Sequence, residues 1–153
     1  MHSSSHLLVC SPKGGYLRFV CLSDTHSKHD AYKDRVPSGD VLLHAGDFTK
    51  MGNLQDVEAF CSFLDTLPHK HKVIIAGMSF RIAQSEISLT VYFAGNHDVS
   101  LDEPFYATEW KKFRHPERLD SRNIVKILNQ HCVYLQDSEI TIGGIRIFGE
   151  CLL

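Results

Sequence analysis

The sequence predicts a layered α/β fold, because short apolar runs that can form buried strands alternate with segments of helical periodicity. Residues 17–22, 41–43 and 72–75 are the first three strand-like runs, and polar residues follow the first two of them. Between the second and the third run, residues 53–67 change from a strand pattern to a helical one. This order is typical of a sheet whose strands are connected by helices.

A helix is predicted over residues 53–67. Asn53 is suited to cap its first turn, and Pro68 ends it because proline cannot continue a helix. Apolar residues recur at helical spacing along one face, namely Leu54, Val57, Phe60, Cys61, Leu64 and Leu67. We therefore expect this helix to pack on the sheet.

Two further helices are predicted in the second half of the chain. The first starts at Asp102-Glu103-Pro104, and its residues expected to be buried are Phe105, Trp110 and Phe113. The second covers residues 121–130 and carries the apolar residues Ile124, Val125 and Leu128.

A β-hairpin is predicted near the end of the chain. Ile140 and Ile142 alternate with polar residues before Gly143-Gly144, and Ile145 and Ile147 alternate after it. Two glycines can adopt the positive φ angles that a two-residue hairpin turn requires.

The composition is that of an ordinary globular domain. Of the 153 residues, 43% are hydrophobic and 22% are charged, and the net charge is −2 at pH 7. This charge provides no basic surface for nucleic acid or an anionic membrane, and no segment has the apolar length of a membrane span. We expect neither nucleic acid nor a membrane as a partner, and the oligomeric state stays open.

The cysteine pattern favours a reducing compartment. The five cysteines are far apart in sequence and form no CxxC pair, so a disulfide framework is not expected and a cytoplasmic location is. The first residues lack the basic and apolar regions of a signal peptide. Residues 1–16 are expected to be a flexible N-terminal segment.

Three polar clusters follow apolar runs and are the candidates for chemistry. They are Asp24-Thr25-His26, Gly46-Asp47 and Gly95-Asn96-His97-Asp98. In open α/β sheets, ligands bind beyond the carboxyl ends of the strands, where such loops converge. Carboxylate, imidazole and amide groups gathered there suit Mn, Fe or Zn.

The motif order "DTH … GD … GNHD" resembles that of the calcineurin-like metallophosphoesterase superfamily. The sequence around these motifs resembles the metallophosphoesterase-domain-containing branch of this superfamily. The resemblance covers residues 18–149 and implies a layered metallophosphoesterase-type β-sandwich flanked by helices, which is incomplete in its C-terminal half. It also implies metal-dependent hydrolysis of phosphoric esters, with phosphodiesters of the cyclic-nucleotide kind as the substrate class. The expected partner is then a small phosphoester.

The resemblance also implies a role for each matched residue. Asp24 and His26 would bind a first divalent ion, Asp47 would bridge two ions, and Asn96 would bind the second. His97 would act at the phosphate as an acid or electrostatic stabiliser, with Asp98 orienting its imidazole, so these two are the catalytic candidates. The expected ions are Mn²⁺, with Fe or Zn as alternatives.

Two departures from the family pattern lead to an alternative hypothesis. Family members carry further Gly-His and Gly-His-x-His segments beyond the region of Gly149, and this sequence lacks them, so the second ion is expected to bind weakly. Residues 78–95 are an atypical insertion in the metallophosphoesterase portion, residues 17–153. The alternative is therefore a catalytically silent, truncated isoform that acts, if at all, as a binding or regulatory protein.

The insertion leaves two strand candidates for one place in the sheet. Residues 73–75 form a buried-looking run, whereas residues 87–93 alternate between apolar and polar side chains. Because residues 87–93 lead directly into Gly95-Asn96, we expect them to enter the sheet beside the Asp24 and Asp47 strands, with residues 73–75 either flanking or displacing them.

Several polar residues near the motifs have ordinary structural interpretations. His44 is expected to be a core or supporting histidine, and His29 is expected to lie in a loop without a role. Thr49 and Lys50 are equally consistent with phosphate contact and with a solvated loop.

Overall fold

A computed structural model describes residues 5–10, 15–75, 79–84, 87–92 and 97–150. The described residues form nine strands and three α-helices. The strands are β1 (Ser5–Cys10), β2 (Tyr16–Leu22), β3 (Val41–Ala45), β4 (His71–Ile75), β5 (Ser79–Gln84), β6 (Ile87–Tyr92), β7 (Val133–Leu135), β8 (Ser138–Ile142) and β9 (Ile145–Glu150). The helices are α1 (Leu54–Thr66), α2 (Glu103–Glu109) and α3 (Ser121–Leu128).

The strands form two sheets. The first has the order β1-β2-β3-β4-β7, in which β2, β3, β4 and β7 are parallel and β1 is antiparallel to β2. The second has the order β6-β5-β9-β8, and its pairings are antiparallel. The mixed architecture, a parallel sheet flanked by helices, confirms the predicted α/β class.

The parallel sheet is covered on both faces, which explains the continuous apolar runs in its strands. All five residues of β3 are buried. Leu42 and Ile74 belong to a core that packs against α1 and α3, whereas Leu43 and Val73 belong to a core shared with Ile147 of the second sheet. The molecule therefore has a helix layer, a parallel sheet and an antiparallel sheet.

Each α-helix begins at a residue whose side chain accepts a hydrogen bond from the first turn. Asn53 accepts from the Asp56 N–H at 2.8 Å, as the sequence predicts for α1. Asp102 and Asp120 do the same for α2 and α3, by accepting from the third residue after each of them.

The predicted hairpin is confirmed. Ile142 of β8 pairs with Ile145 of β9, so Gly143 and Gly144 form the two-residue turn. Their φ angles are 60° and 85°, and the positive φ at both positions is the reason why glycine suits this turn.

The expectation that residues 87–93 enter the parallel sheet is wrong. β4, which contains Val73 and Ile75, lies beside β3 in that sheet, and β6 instead forms an edge of the antiparallel sheet beside β5. A strand between two neighbours in a parallel sheet is buried on both faces, which favours the wholly apolar residues 73–75 over an alternating run. Residue 93 lies outside the described residues.

The residues expected to be buried in the helical segment that starts at residue 102 need correction, and this segment consists of α2 followed by a 3₁₀ helix, Trp110–Phe113. Tyr106 is fully buried, at 0% exposure, whereas Phe105, Trp110 and Phe113 are only partly buried. Tyr106 also has a polar role, because its hydroxyl accepts a hydrogen bond from the Leu119 N–H at 3.3 Å and contacts a histidine ring. This long-range partner gives a tyrosine a reason to be interior that the local pattern does not contain.

Part of the N-terminal segment forms a strand, and its flexibility stays a prediction. Within residues 1–16, residues 5–10 form β1 and pair along the whole of their length with β2. Residues 1–4 and 11–14 lie outside the described residues. Among the described residues, no helix has the length and apolar character needed to cross a membrane.

Candidate metal centre

The candidate centre lies at the carboxyl ends of β2 and β3. Asp24 and His26 follow the end of β2 at Leu22, and Asp47 follows the end of β3 at Ala45. Because β2 and β3 are parallel neighbours, both loops leave the sheet at the same edge. His97 reaches this edge from the segment before a short 3₁₀ helix, Val99–Leu101.

Three side chains converge there. Each of His26, Asp47 and His97 offers a ligand atom, and these atoms lie within 4.8 Å of one another. Nitrogen and oxygen ligands bind zinc at about 2.0–2.2 Å, so the three atoms would close on one ion after shifts of less than about 1 Å. Two imidazoles and a carboxylate form a donor set suited to Mn, Fe or Zn.

Asp24 and Asn96 are the other two predicted ligands, and the structure describes only Asp24. An oxygen of Asp24 lies 3.9 Å from Nε2 of His26, a separation that two ligands of one ion can have. Asp24 is therefore a neighbour of the three-residue cluster, next to His26, and not one of its three members. Asn96 lies outside the described residues.

The two strand-end loops are bonded to each other through their backbones. The N–H groups of residues 24, 26 and 27 donate to the carbonyls of residues 46, 47 and 48, at 3.1, 2.9 and 2.9 Å. Asp24, His26 and Asp47 have φ angles of 57°, 42° and 53°, which side-chain-bearing residues rarely adopt. Such strain persists where the surroundings impose it and is common at functional sites.

A reciprocal clasp joins the Asp47 loop to the His97 segment. The Asp47 carboxylate accepts a hydrogen bond from the His97 N–H at 2.9 Å, across fifty positions of sequence. In return, the Asp98 carboxylate accepts from the Phe48 N–H at 3.2 Å and from the Thr49 N–H and hydroxyl at 2.8 and 2.6 Å. Each segment thus contributes a carboxylate that binds the backbone of the other.

The clasp corrects the role expected for Asp98. It is the Lys50 carbonyl, at 2.7 Å, that contacts Nδ1 of His97, while the Asp98 carboxylate is turned to residues 48 and 49. A carbonyl only accepts hydrogen bonds, so Nδ1 of His97 carries the proton. In the neutral ring Nε2 then has a free lone pair, which is the arrangement usual in metal-binding histidines.

Asp98 lies in a strongly buried environment. Desolvation raises the pKa of Asp98 to about 7, and its hydrogen bonds from Thr49 and Phe48 act in the opposite direction. Thr49 is itself fully buried, at 0% exposure, and its hydroxyl also accepts from the Gly52 N–H. Thr49 therefore belongs to the clasp rather than to a solvated, phosphate-contacting loop, whereas Lys50 is exposed.

Two further histidines lie beneath the cluster. His44 is buried and its ring contacts Phe48 and Phe60, so it is a core histidine, as predicted. His29, expected to be a loop residue, is also buried, and its ring packs against Phe60 and Phe63. Burial lowers the pKa of both rings, to about 3 for His44 and about 4 for His29.

The sequence motifs contain the clustered residues, but they do not reveal the groups that hydrogen-bond to the His97 segment. The Thr49 side chain and the Lys50 carbonyl contact residues 47 to 49 positions away. No local pattern in the sequence signals these contacts, because they depend on where the loops meet. Only the adjacency of Thr49 to the Gly46-Asp47 motif offers a hint.

Comparison with known proteins agrees with this geometry. A family model described as calcineurin-like phosphoesterase matches residues 17–149. Metallophosphoesterase domain-containing protein 1 of Homo sapiens is 40% identical over 142 residues, which cover 89% of this chain and 37% of the human protein. The mouse protein of the same name gives the same values.

A UPF0046 protein of Caenorhabditis elegans is 32% identical over 133 residues, which cover 87% of this chain and 40% of the worm protein. The chain therefore spans about two fifths of the length of these relatives. With most of its length matched by the family model and the family's residues gathered at one edge of a parallel sheet, the chain belongs to the calcineurin-like phosphoesterase family.

Proposed function

We propose that this protein hydrolyses phosphodiesters with the help of two divalent metal ions. The observation that carries the proposal is the convergence of His26, Asp47 and His97 within 4.8 Å, at the edge where a parallel sheet places its ligands. Membership of a phosphoesterase family supports the reaction class. The substrate class, small cyclic-nucleotide-like phosphodiesters, is taken from the resemblance alone.

The residues of the cluster suit divalent ions of the Mn, Fe or Zn type. Asp24, His26 and Asp47 would hold one ion, and Asp47 with Asn96 would hold a second more weakly. When bound, such ions neutralise the anionic phosphoester and acidify a water molecule that can attack it. Mn²⁺ is the ion we propose for both positions.

His97 is proposed to act on the substrate side of the centre. The Lys50 carbonyl holds its Nδ1–H, which fixes the ring and leaves Nε2 for the cluster. A protonated Nε2 would donate its proton to the leaving oxygen, which otherwise departs as a poor alkoxide leaving group. Nε2 is also one of the three converging ligand atoms, so the two roles compete for one atom.

The reducing interior of the cytoplasm is the compartment we propose for the protein. Cys21, Cys61 and Cys132 are free thiols in the described part of the chain, and the sequence has no CxxC pair. Free buried thiols are compatible with a compartment that keeps cysteines reduced.

Hydrolysis of bis(p-nitrophenyl) phosphate with Mn²⁺ tests the proposal. Wild-type protein should release nitrophenol, EDTA should stop the reaction, and His97→Ala should lower kcat by roughly 100-fold or more. Lys126→Ala, an exposed substitution on α3, is the matched control and should leave the rate unchanged.

Mn²⁺ titration of His97→Ala separates the two roles of this residue. Unchanged affinity would assign His97 to the substrate, whereas weaker binding would assign it to the ion. If folded wild-type protein shows no Mn²⁺-dependent hydrolysis, the enzyme proposal fails. That result would favour the alternative, a silent binding or regulatory protein.

A further inference from the structure

The side chain of Thr25 is buried beneath the loop that carries Asp24 and His26. Thr25 is 2% exposed, whereas both of its neighbours are only partly buried. Its hydroxyl lies 3.1 Å from Nε2 of His44. The loop thus sends one side chain into the protein, between two that stay at the candidate centre.

His44 is a rigid partner for this hydroxyl. It lies in β3, which pairs with a strand on each side, and it is 1% exposed. Its ring contacts Phe48 and Phe60 edge-on, with centroids 5.9 and 5.1 Å away. Because burial lowers the pKa of His44 to about 3, the ring is neutral near pH 7 and offers one donor and one acceptor.

The loop has a physical need for such an anchor. Asp24, His26 and Ser27 all have positive φ angles, of 57°, 42° and 58°. Residues with side chains avoid this region unless the surrounding structure imposes it. Backbone bonds to the loop that follows β3 hold the N–H groups of these residues, and the Thr25–His44 bond adds a side-chain anchor in the middle of the loop.

We propose that Thr25 and His44 are positioning residues for the metal centre, because their hydrogen bond holds Asp24 and His26 at the separation that a shared ion requires. The inference rests on the proposed function, since it assumes that these residues bind an ion. Neither Thr25 nor His44 touches the ion in this arrangement. Their effect is on the geometry of the ligands.

Calorimetric titration with Mn²⁺ alone tests this inference on four proteins. Thr25→Val replaces the hydroxyl by a methyl group of similar size, and it should weaken Mn²⁺ binding by roughly 10-fold, the lower end of the effect of losing an outer-sphere partner. Thr25→Ser keeps the hydroxyl and should retain the wild-type affinity. Thr66→Val removes a hydroxyl that bonds the Phe63 carbonyl in α1, and it is the control for losing a threonine hydroxyl.

The outcomes separate this inference from the function on which it rests. Wild-type affinity in Thr25→Val would overturn the positioning role and leave the metal proposal intact. A serine variant as weak as the valine variant would also overturn it, because the hydroxyl would not be the cause. Absence of Mn²⁺ binding by the wild type would refute both. If Thr25→Val does not fold, Thr25→Ala takes its place, since it introduces no new atom.

Discussion

Acid should destabilise this protein through His29, whose ring is buried and has no hydrogen-bond partner in the part of the chain that the structure describes. The residue is 4% exposed, and its ring centroid lies 5.1 Å from that of Phe60 and 5.5 Å from that of Phe63. Neither ring nitrogen has a hydrogen-bond partner among the described residues. Desolvation lowers the pKa of His29 to about 4, and the nearby carboxylates Asp56 and Asp30 oppose that shift.

The sign and the size of the pH effect on the free energy of unfolding follow from the pKa of His29. In the unfolded chain a histidine titrates near 6.5, so between pH 6.5 and 4 the unfolded state binds a proton that the folded state excludes. The free energy of unfolding therefore falls as the pH falls through this window. At about 1.4 kcal/mol per pKa unit, His29 accounts for at most about 3 kcal/mol, of which about 2 kcal/mol is lost between pH 7 and pH 5.

Urea denaturation of the EDTA-treated protein at about pH 7, 6 and 5 measures this contribution. His29→Leu removes the titrating ring and keeps an apolar side chain against Phe60 and Phe63. Between pH 7 and pH 5 this variant should lose about 2 kcal/mol less of unfolding free energy than the wild type. The wild type should lose the larger amount because its unfolded state takes up the His29 proton.

A second substitution controls for the loss of a histidine as such. His71→Leu removes a partly exposed histidine outside the aromatic cluster of His29. If wild type and His29→Leu show the same dependence of unfolding free energy on pH, the ring is not held neutral in the folded state. The reasoning from burial would then be refuted.

Three further results are expected. Asp98→Asn should lower the free energy of unfolding by roughly 2–4 kcal/mol, because an amide cannot accept all three hydrogen bonds of this buried carboxylate. Urea denaturation measures the loss, and Asp34→Asn, at an exposed position, is the control. Gly52→Ala should lower the free energy of unfolding by roughly 1–3 kcal/mol more than Gly15→Ala. Both glycines have a positive φ angle. A Cβ atom at residue 52 would lie 2.9 Å from the Ser100 nitrogen, whereas a Cβ atom at residue 15 would meet nothing within 4 Å. Equal losses would show that the backbone angle alone decides. Mn²⁺ at about 100 times its Kd should raise the free energy of unfolding by about 2.7 kcal/mol, reversibly with EDTA, and no shift would argue against a site in the folded state.

The sequence predicts the elements of this fold well where local chemistry decides them. Asn53 caps α1, and Gly143-Gly144 turns the last hairpin, because each depends on bonds or angles within a few residues. Residues 73–75, and not residues 87–93, lie beside β3 in the parallel sheet. This is so although residues 87–93 are closer in sequence to the GNHD motif. Burial on both faces of a parallel sheet decided it, and this is a property of the neighbours of a strand.

The same distinction between local and long-range contacts applies to the candidate site. Asp24, His26, Asp47 and His97 are recognisable because the motifs follow apolar runs, and the structure brings them to one edge. The role of Asp98 was predicted wrongly because its partners lie 49 and 50 residues away. Which backbone group a buried carboxylate binds depends on how two distant loops pack, and chain order alone does not contain that information.

The reciprocal clasp of Asp47 and Asp98 means that hydrogen bonds within the protein join the two segments of the candidate centre. These bonds run between carboxylates and backbone N–H groups, so they do not themselves involve a cation. Small zinc domains, by contrast, are unfolded without metal and fold only as the ion binds. With its segments joined by bonds of the protein itself, a chain of this kind could exchange one bound ion for another while it stays folded. The identity of the resident metal would then follow the supply of ions around the protein.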